Sequence, residues 1–231
     1  MEQRLAPLHE WWHHGGVIEG LDSFIEGPTF FSLWLELAAE LDLDGEPTND
    51  IGFDLAACYT EPHRHYHTME HITAVLQHLG DLHVTTPTAK LAAFFHDAIY
   101  DPMRGDNEAQ SAELAREVLI AVDRPEADDV AAIVLATATH QLPEGAPRET
   151  AAFLDADLAV LAAPPDIYDI YTANVRKEYG HMSDADFRAG RAGILEGLAN
   201  RDQLFFTTAG QAKFEALARR NLRREIESLT S

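Results

Sequence analysis

A chain of 231 residues, 46% apolar and 24% charged, carries enough material for a large hydrophobic core and lies near the upper size of a single domain. With 39 Asp and Glu against 17 Lys and Arg, its formal charge of −22 repels a polyanionic backbone over most of the surface and argues against long nucleic acid as a ligand. A small phosphate ester stays compatible, because beyond about 8–10 Å the global field is screened and local charges decide.

Residues 1–27, with Trp11-Trp12-His13-His14-Gly15-Gly16, show no sustained period and no apolar h-region of a secretory signal. They read as an extension of uncertain structure, and residues 28–231 as a single helical domain. No apolar run approaches membrane-spanning length. The lone Cys58 cannot form an internal disulfide, reads as a small buried apolar group, and fits a reducing compartment, so the expected location is the cytoplasm. From Pro28 the pattern becomes helical. Phe31, Leu33, Trp34, Leu35, Leu37, Ala38 and Leu41 predict a first helix with Pro28 in its opening turn and Gly45 as its stop. A short helix is predicted from Ile51 to Tyr59, and Glu61-Pro62 breaks the chain before a histidine-rich stretch. Further helices are predicted from Tyr66 to Leu79, Thr88 to Ala98, Asn107 to Val122, Pro125 to His140, Glu149 to Leu161, Asp166 to Tyr179, Asp184 to Ala199 and Ala209 to Leu229. Alternating runs of strand type are missing, so the expected fold class is all-α.

Three stretches carry chemistry. Of the 12 histidines, His63, His65, His67, His71, His78 and His83 crowd one short region. On the helix there, Met69, Ile72, Val75, Leu76 and Leu79 form the apolar stripe, and His67, His71 and His78 form a neighbouring one. His71, one turn before Val75, sits where an imidazole can turn inward, whereas His78 and His83 read as solvated surface. A helical histidine pair alone is a weak metal signal. The second stretch, Leu91 to Ile99, is apolar nearly all round, so His96 and Asp97 within it must be paired or ligated. A divalent ion satisfies both residues, and so does a buried His–Asp hydrogen bond joining two helices. In the third stretch, Phe153, Leu154, Leu158, Val160 and Leu161 share a broad face from whose middle Asp157 projects, while Asp155 points nearly the other way, about 200° apart. Asp157 is therefore the expected ligand, and Asp155, the alternative, is expected as a cap, supporting or surface group.

Tyr66-His67 with His71-Ile72-Thr73-Ala74-Val75, then His96-Asp97, then Ala156-Asp157-Leu158, resembles the ordered H…HD…D signature of the HD superfamily of metal-dependent phosphohydrolases. The segments Asn107 to Ala112, Val175 to Tyr179, Phe187 to Arg191 and Ala218 to Leu222 look like a bacterial subgroup of predicted HD phosphohydrolases. The resemblance implies an HD-type helical bundle whose His71, His96, Asp97 and Asp157 hold one divalent ion, commonly manganese, iron, zinc, magnesium, cobalt or nickel across the superfamily. Mixed imidazole and carboxylate donors give no preference beyond the divalent class. Binuclear members carry more histidines between the HD pair and the last Asp, where this chain has only His140, so a single ion is expected.

Hydrolysis then asks for proton carriers and positive charge. Asp101 and Glu108 are the candidate carboxylates, although Asp101 before Pro102 also reads as a turn residue and Glu108 as an ordinary first-turn acid. His67 or His140 is the candidate donor to a leaving oxygen. Lysine occurs only at 90, 177 and 213, so arginine must bind phosphate. Arg64 is the first choice for a bidentate clamp, followed by Arg104 and Arg176, with surface ion pairing the plainer reading of the latter two. The expected substrate is a small phosphorylated molecule, a nucleotide or related metabolite. An oxygenase-like metalloenzyme on the same fold would need extra histidine ligands, and a catalytically silent binding module would not need the complete ligand set.

Overall fold

The computed structural model describes residues 28–43 and 46–231; the 1–27 extension and Gly45, the expected stop of the first helix, lie outside the described residues. Helix α1 (Phe30–Glu40) is capped by Thr29, whose hydroxyl accepts the Ser32 N–H while the Ser32 hydroxyl accepts the Thr29 N–H. Pro28 therefore precedes the cap instead of sitting in the first turn. The order continues through α2 (Glu46–Tyr59), α3 (Met69–Asp81), α4 (Pro87–Phe95), α5 (Asn107–Ala121), α6 (Ala127–Thr137) and α7 (Arg148–Asp157). A 3-10 turn (Leu158–Ala162) follows, then α8 (Pro165–Glu178), α9 (Asp184–Ala199), a short α10 (Thr208–Gly210), a π turn (Gln211–Glu215) and α11 (Ala216–Thr230). The fold is all-α, with no strand among the described residues. No helix among them is long and apolar enough to cross a membrane.

Helix α4 is the central rod. Thr86 caps it, Pro87 opens it, and Leu91 through Phe95 are fully buried, as an all-round apolar run requires. It touches α1, α3, α5, α6 and α7, while α11 packs along α9 and the 3-10 turn. Phe94 takes Phe30 and Trp34 edge-on, each with ring centroids 5.1 Å away.

Periodicity predicts that α4 runs on to Ala98, yet it stops at Phe95, because tertiary partners claim the carbonyls at its end. The Tyr59 hydroxyl donates to Phe94 O at 2.8 Å, and His96 Nδ1 stands 3.0 Å from Ala93 O. The Arg64 guanidinium donates to Asp97 O at 2.7 Å and Ala98 O at 2.9 Å. Helix α3 likewise starts at Met69, three residues later than predicted, since residues 61–68 form an irregular turn folded around that same arginine. The expectation of Arg64 as a phosphate clamp is thereby corrected. Its side chain is 0% exposed, its remaining donors go to Glu61 Oε2 and His67 O, and it stacks over the Tyr59 and Tyr100 rings. A phosphate could reach it only by unfolding the turn.

Lysine keeps the charge of Arg64 but not the planar fork that serves four acceptors. Arg64→Lys is expected to lower unfolding free energy by roughly 2–4 kcal/mol in urea titrations, because buried carbonyls lose their donors. A change below about 0.5 kcal/mol would contradict this structural role.

Candidate metal centre

Three helix boundaries deliver four side chains to one point. His71 stands in the first turn of α3, His96 and Asp97 directly follow α4, and Asp157 is the last residue of α7. The bond from His96 Nδ1–H to Ala93 O fixes that ring's tautomer and leaves Nε2 as the nitrogen that faces the cluster. His71 Nε2 lies 3.1 Å from His96 Nε2, 3.5 Å from Asp97 Oδ2 and 3.2 Å from Asp157 Oδ1. His96 Nε2 lies 3.0 Å from Asp97 Oδ2 and 3.6 Å from Asp157 Oδ1. Ligand atoms of His71, His96 and Asp97 all fall within 4.8 Å of one another, and Asp157 reaches both imidazoles.

These spacings fit a cation. Nitrogen and oxygen donors bound at about 2.0–2.2 Å to one ion stand roughly 3–3.6 Å apart, the range found here. Without an ion, two imidazole nitrogens facing each other must share protons with the carboxylates. Burial pulls His71 and His96 down, but hydrogen bonds and charge from Asp97 and Asp157 outweigh it, so His71 is raised and His96 raised strongly. Burial pushes Asp97 and Asp157 up, yet the surrounding imidazoles hold both well below the usual carboxylate range. The site thus favours two anionic carboxylates with compensating positive charge, a role that protons or a divalent ion both fill.

The two aspartates of α7 part company as their helical phase predicts. Asp155 is 0% exposed and faces away from the cluster. It accepts the Phe206 N–H at 2.6 Å, the Thr207 N–H at 2.8 Å and the Thr207 hydroxyl at 2.6 Å. Burial raises its carboxyl even against these donors. Asp155 therefore anchors the turn that leads into α10, and a surface position for it is excluded. Gly210 permits that closeness, since a Cβ there would collide with Asp155 Oδ2. Nothing in the periodic reading of the last helix anticipates this break.

A cavity of about 450 Å³ opens on the cluster, with Asp97, Asp157, His67, His140, Glu108 and Arg104 in its wall. His140 Nε2 contacts Asp157 Oδ2 at 2.8 Å, turning Oδ1 toward the two histidines. Its backbone is left-handed, with φ of 45°, and Arg201 holds that turn by donating to the Thr139 and His140 carbonyls. Sequence reasoning missed Arg201. Asp101 lies outside the cavity wall. Its carboxylate accepts the Met103 N–H at 2.8 Å and Asn107 brackets its backbone, so it is a turn residue, and the expectation of a proton carrier there is corrected. Arg176 serves the Tyr179 and Met182 carbonyls and Asp184, also away from the cavity. Arg104 alone of the three candidate arginines lines it, in an exposed pair with Asp106 at 2.8 Å. His78, expected at the surface, is half-buried, and its Nδ1 has no hydrogen-bond partner among the described residues.

The largest omission is Glu178. At the end of α8, its Oε1 accepts the N–H groups of His65, Tyr66 and His67 at 2.8, 2.7 and 2.9 Å. Its Oε2 bonds His67 Nδ1 at 2.8 Å and the Tyr100 hydroxyl at 2.9 Å. His67 is thereby oriented with Nε2 as its free nitrogen. The signal was present: Tyr171, Val175 and Glu178 follow i, i+4, i+7 spacing, so this carboxylate falls on a packed face, by the same argument that selects Asp157.

Burial raises Glu178, but the His67 ring and the backbone donors overcome it and bring the carboxyl from 4.5 to about 2. A depressed folded pKa stabilises the fold above the unfolded value and loses that contribution as pH falls toward the folded one. The shift corresponds to about 3 kcal/mol. Wild type should exceed Glu178→Gln in stability at about pH 6, with the gap narrowing as pH drops through roughly 4.5 to 3; a pH-independent gap would refute the assignment. Comparison of the chain with protein-family models, with curated proteins and with solved structures gives no match.

Proposed function

We propose that this chain is a metal-dependent phosphohydrolase of the HD type, acting on a small phosphate ester. The observation that carries the reading is the convergence of His71, His96, Asp97 and Asp157, in the H…HD…D order, beside a cavity lined by the two aspartates together with two further histidines and a carboxylate. These four residues would hold one divalent ion; His140, the one histidine between Asp97 and Asp157 in the sequence, is engaged with Asp157 Oδ2. The same commitment of His140 weighs against an oxygenase-like binuclear centre. A divalent ion in this set supplies Lewis acidity toward a phosphoryl oxygen and acidifies water.

The reaction consumes one ester and one water: the water oxygen bonds to phosphorus, the ester P–O bond breaks, and the leaving oxygen gains a proton. Glu108, in the first turn of α5, lines the cavity and would accept the proton from water. His67, held by Glu178, presents its imidazole on the same wall and would protonate the leaving oxygen, whereas the Nε2 of His140, the other candidate, is taken by Asp157. Arg104 would exchange its exposed partner Asp106 for the phosphate; such surface pairs contribute only about 0–1 kcal/mol, so the exchange costs little.

Exhaustive chelation is expected to abolish phosphate release, and manganese or another first-row divalent ion to restore it. Full turnover by metal-free protein would sink the mechanism. A second prediction separates the aspartates. Asp157→Ala should lose most bound metal, measured by elemental analysis of the folded protein, and all measurable turnover. Asp155→Ala should keep its metal but lose at least about 2 kcal/mol of stability, because the Phe206 and Thr207 donors are stranded. The reverse pattern of metal loss would make Asp155 the ligand.

A further inference from the structure

A second and larger cavity, about 700 Å³, also meets the cluster, with His71 and Asp157 in its wall. It shares Tyr66, Asp157, Val160 and Tyr171 with the polar cavity, so the metal-ligand cluster stands where the two meet. The lining is dominated by Ala74, Ala159, Val160, Ile167, Ile170 and Phe214, and contains neither Lys nor Arg. Its wall also carries polar side chains, among them His65, Thr68, Glu70, His78 and Asn174, of which the Thr68 hydroxyl donates to Glu70 at 2.5 Å and Asn174 Oδ1 accepts from Lys177 at 2.9 Å. Ile167 and Ile170 of α8 stand 49% and 57% exposed beside the opening, a cost in water that an apolar occupant would remove. The π turn that departs from regular helix places Phe214 in the wall, and Asp155 anchors the segment leading into it.

Any group filling this space touches the reacting centre, so it belongs to the substrate. A polyphosphate would need cations, which the wall does not supply, and a wall whose larger part is Ala, Val, Ile, Pro and Phe offers more to an apolar ring than to the many polar groups of a ribose and base. We infer that the substrate is a phosphate monoester of an apolar, uncharged alcohol, aryl or alkyl, whose organic part sits in the 700 Å³ cavity while its phosphate faces the histidines and aspartates. This rests on the hydrolase reading and narrows it away from nucleotides.

Binding and turnover test the two separately. The neutral alcohols 1-naphthol and adenosine are titrated into the metal-free full-length chain, and release of phosphate from 1-naphthyl phosphate and adenosine 5′-monophosphate is measured on the manganese-loaded chain. Naphthol is expected to bind at least about tenfold tighter than adenosine, because the polar ribose and base would give up hydrogen bonds to water on entering a mainly apolar wall. Ala74→Phe, which fills the cavity from α3, and Ile170→Glu, which puts a carboxylate at its mouth, should each weaken naphthol binding at least about tenfold, with helicity retained by circular dichroism. Naphthyl phosphate should exceed the nucleotide in kcat/KM by a similar factor. Equal or tighter adenosine binding, wild-type naphthol binding by both folded variants, or equal or better hydrolysis of the nucleotide would each overturn the apolar site. Selective naphthol binding with no phosphate released from either ester would leave the site standing and defeat the hydrolase reading.

Discussion

Two carboxylates and two imidazoles taken out of water within 3.0–3.6 Å of one another form the constraint around which this fold is built. An isolated buried charge is costly, so the group as a whole must be compensated, and every neighbouring arrangement serves that end. His96 is held through Ala93 O, and Asp157 through His140. The carboxylates raise the imidazoles and the imidazoles hold the carboxylates down, so each half of the cluster favours the charged form of the other.

Regular helices do not by themselves bring four such groups together, because each one fixes its side chains at a set phase. The protein places its ligands at helix ends. His96 and Asp97 leave α4 once Tyr59 and Arg64 have claimed the carbonyls there, and Asp157 stands where α7 tightens into a 3-10 turn. The loop before α3 is gripped from two sides by opposite charges. Arg64 takes the His67 carbonyl and Glu178 three N–H groups, so side chains hold this irregular segment where a helix would use its own backbone. The same grip orients His67, so the anchors of the fold also aim a reactive group.

The walls of the two cavities at the cluster differ in kind. One carries Glu108, His140, His67 and Arg104, and the other is built of alanines, isoleucines and aromatic edges. Under a net charge of −22, three of the scarce arginines near the site are spent on backbone carbonyls, Arg64 at Asp97, Arg201 at His140 and Arg176 at Tyr179. Little free positive charge is left for a polyanion, and the surroundings of the cluster reflect it.

The sequence by itself determined the helical class, because apolar residues recur at 3.6 spacing almost throughout, and it determined which face of each helix is buried. That was enough to distinguish Asp157 from Asp155, to turn His71 inward and to bury His96 with Asp97, since phase on a helix is a local property. Helix ends were legible only where a local cap announces them. Thr29 and Thr86 are such caps, although the sequence pattern puts Pro28 in the opening turn and begins the second of these helices at Thr88, and α4 ends through Tyr59 and Arg64, which lie more than thirty residues away along the chain. The roles of Arg64, Asp101 and Glu178 were decided by tertiary structure for the same reason. A guanidinium or carboxylate offers the same donors or acceptors to phosphate, water or backbone, and which partner it takes depends on what the fold places within about 3 Å. The apolar cavity is likewise a property of packing, made by α3, the 3-10 turn, α8 and the π turn meeting around the cluster, with no single segment carrying its pattern.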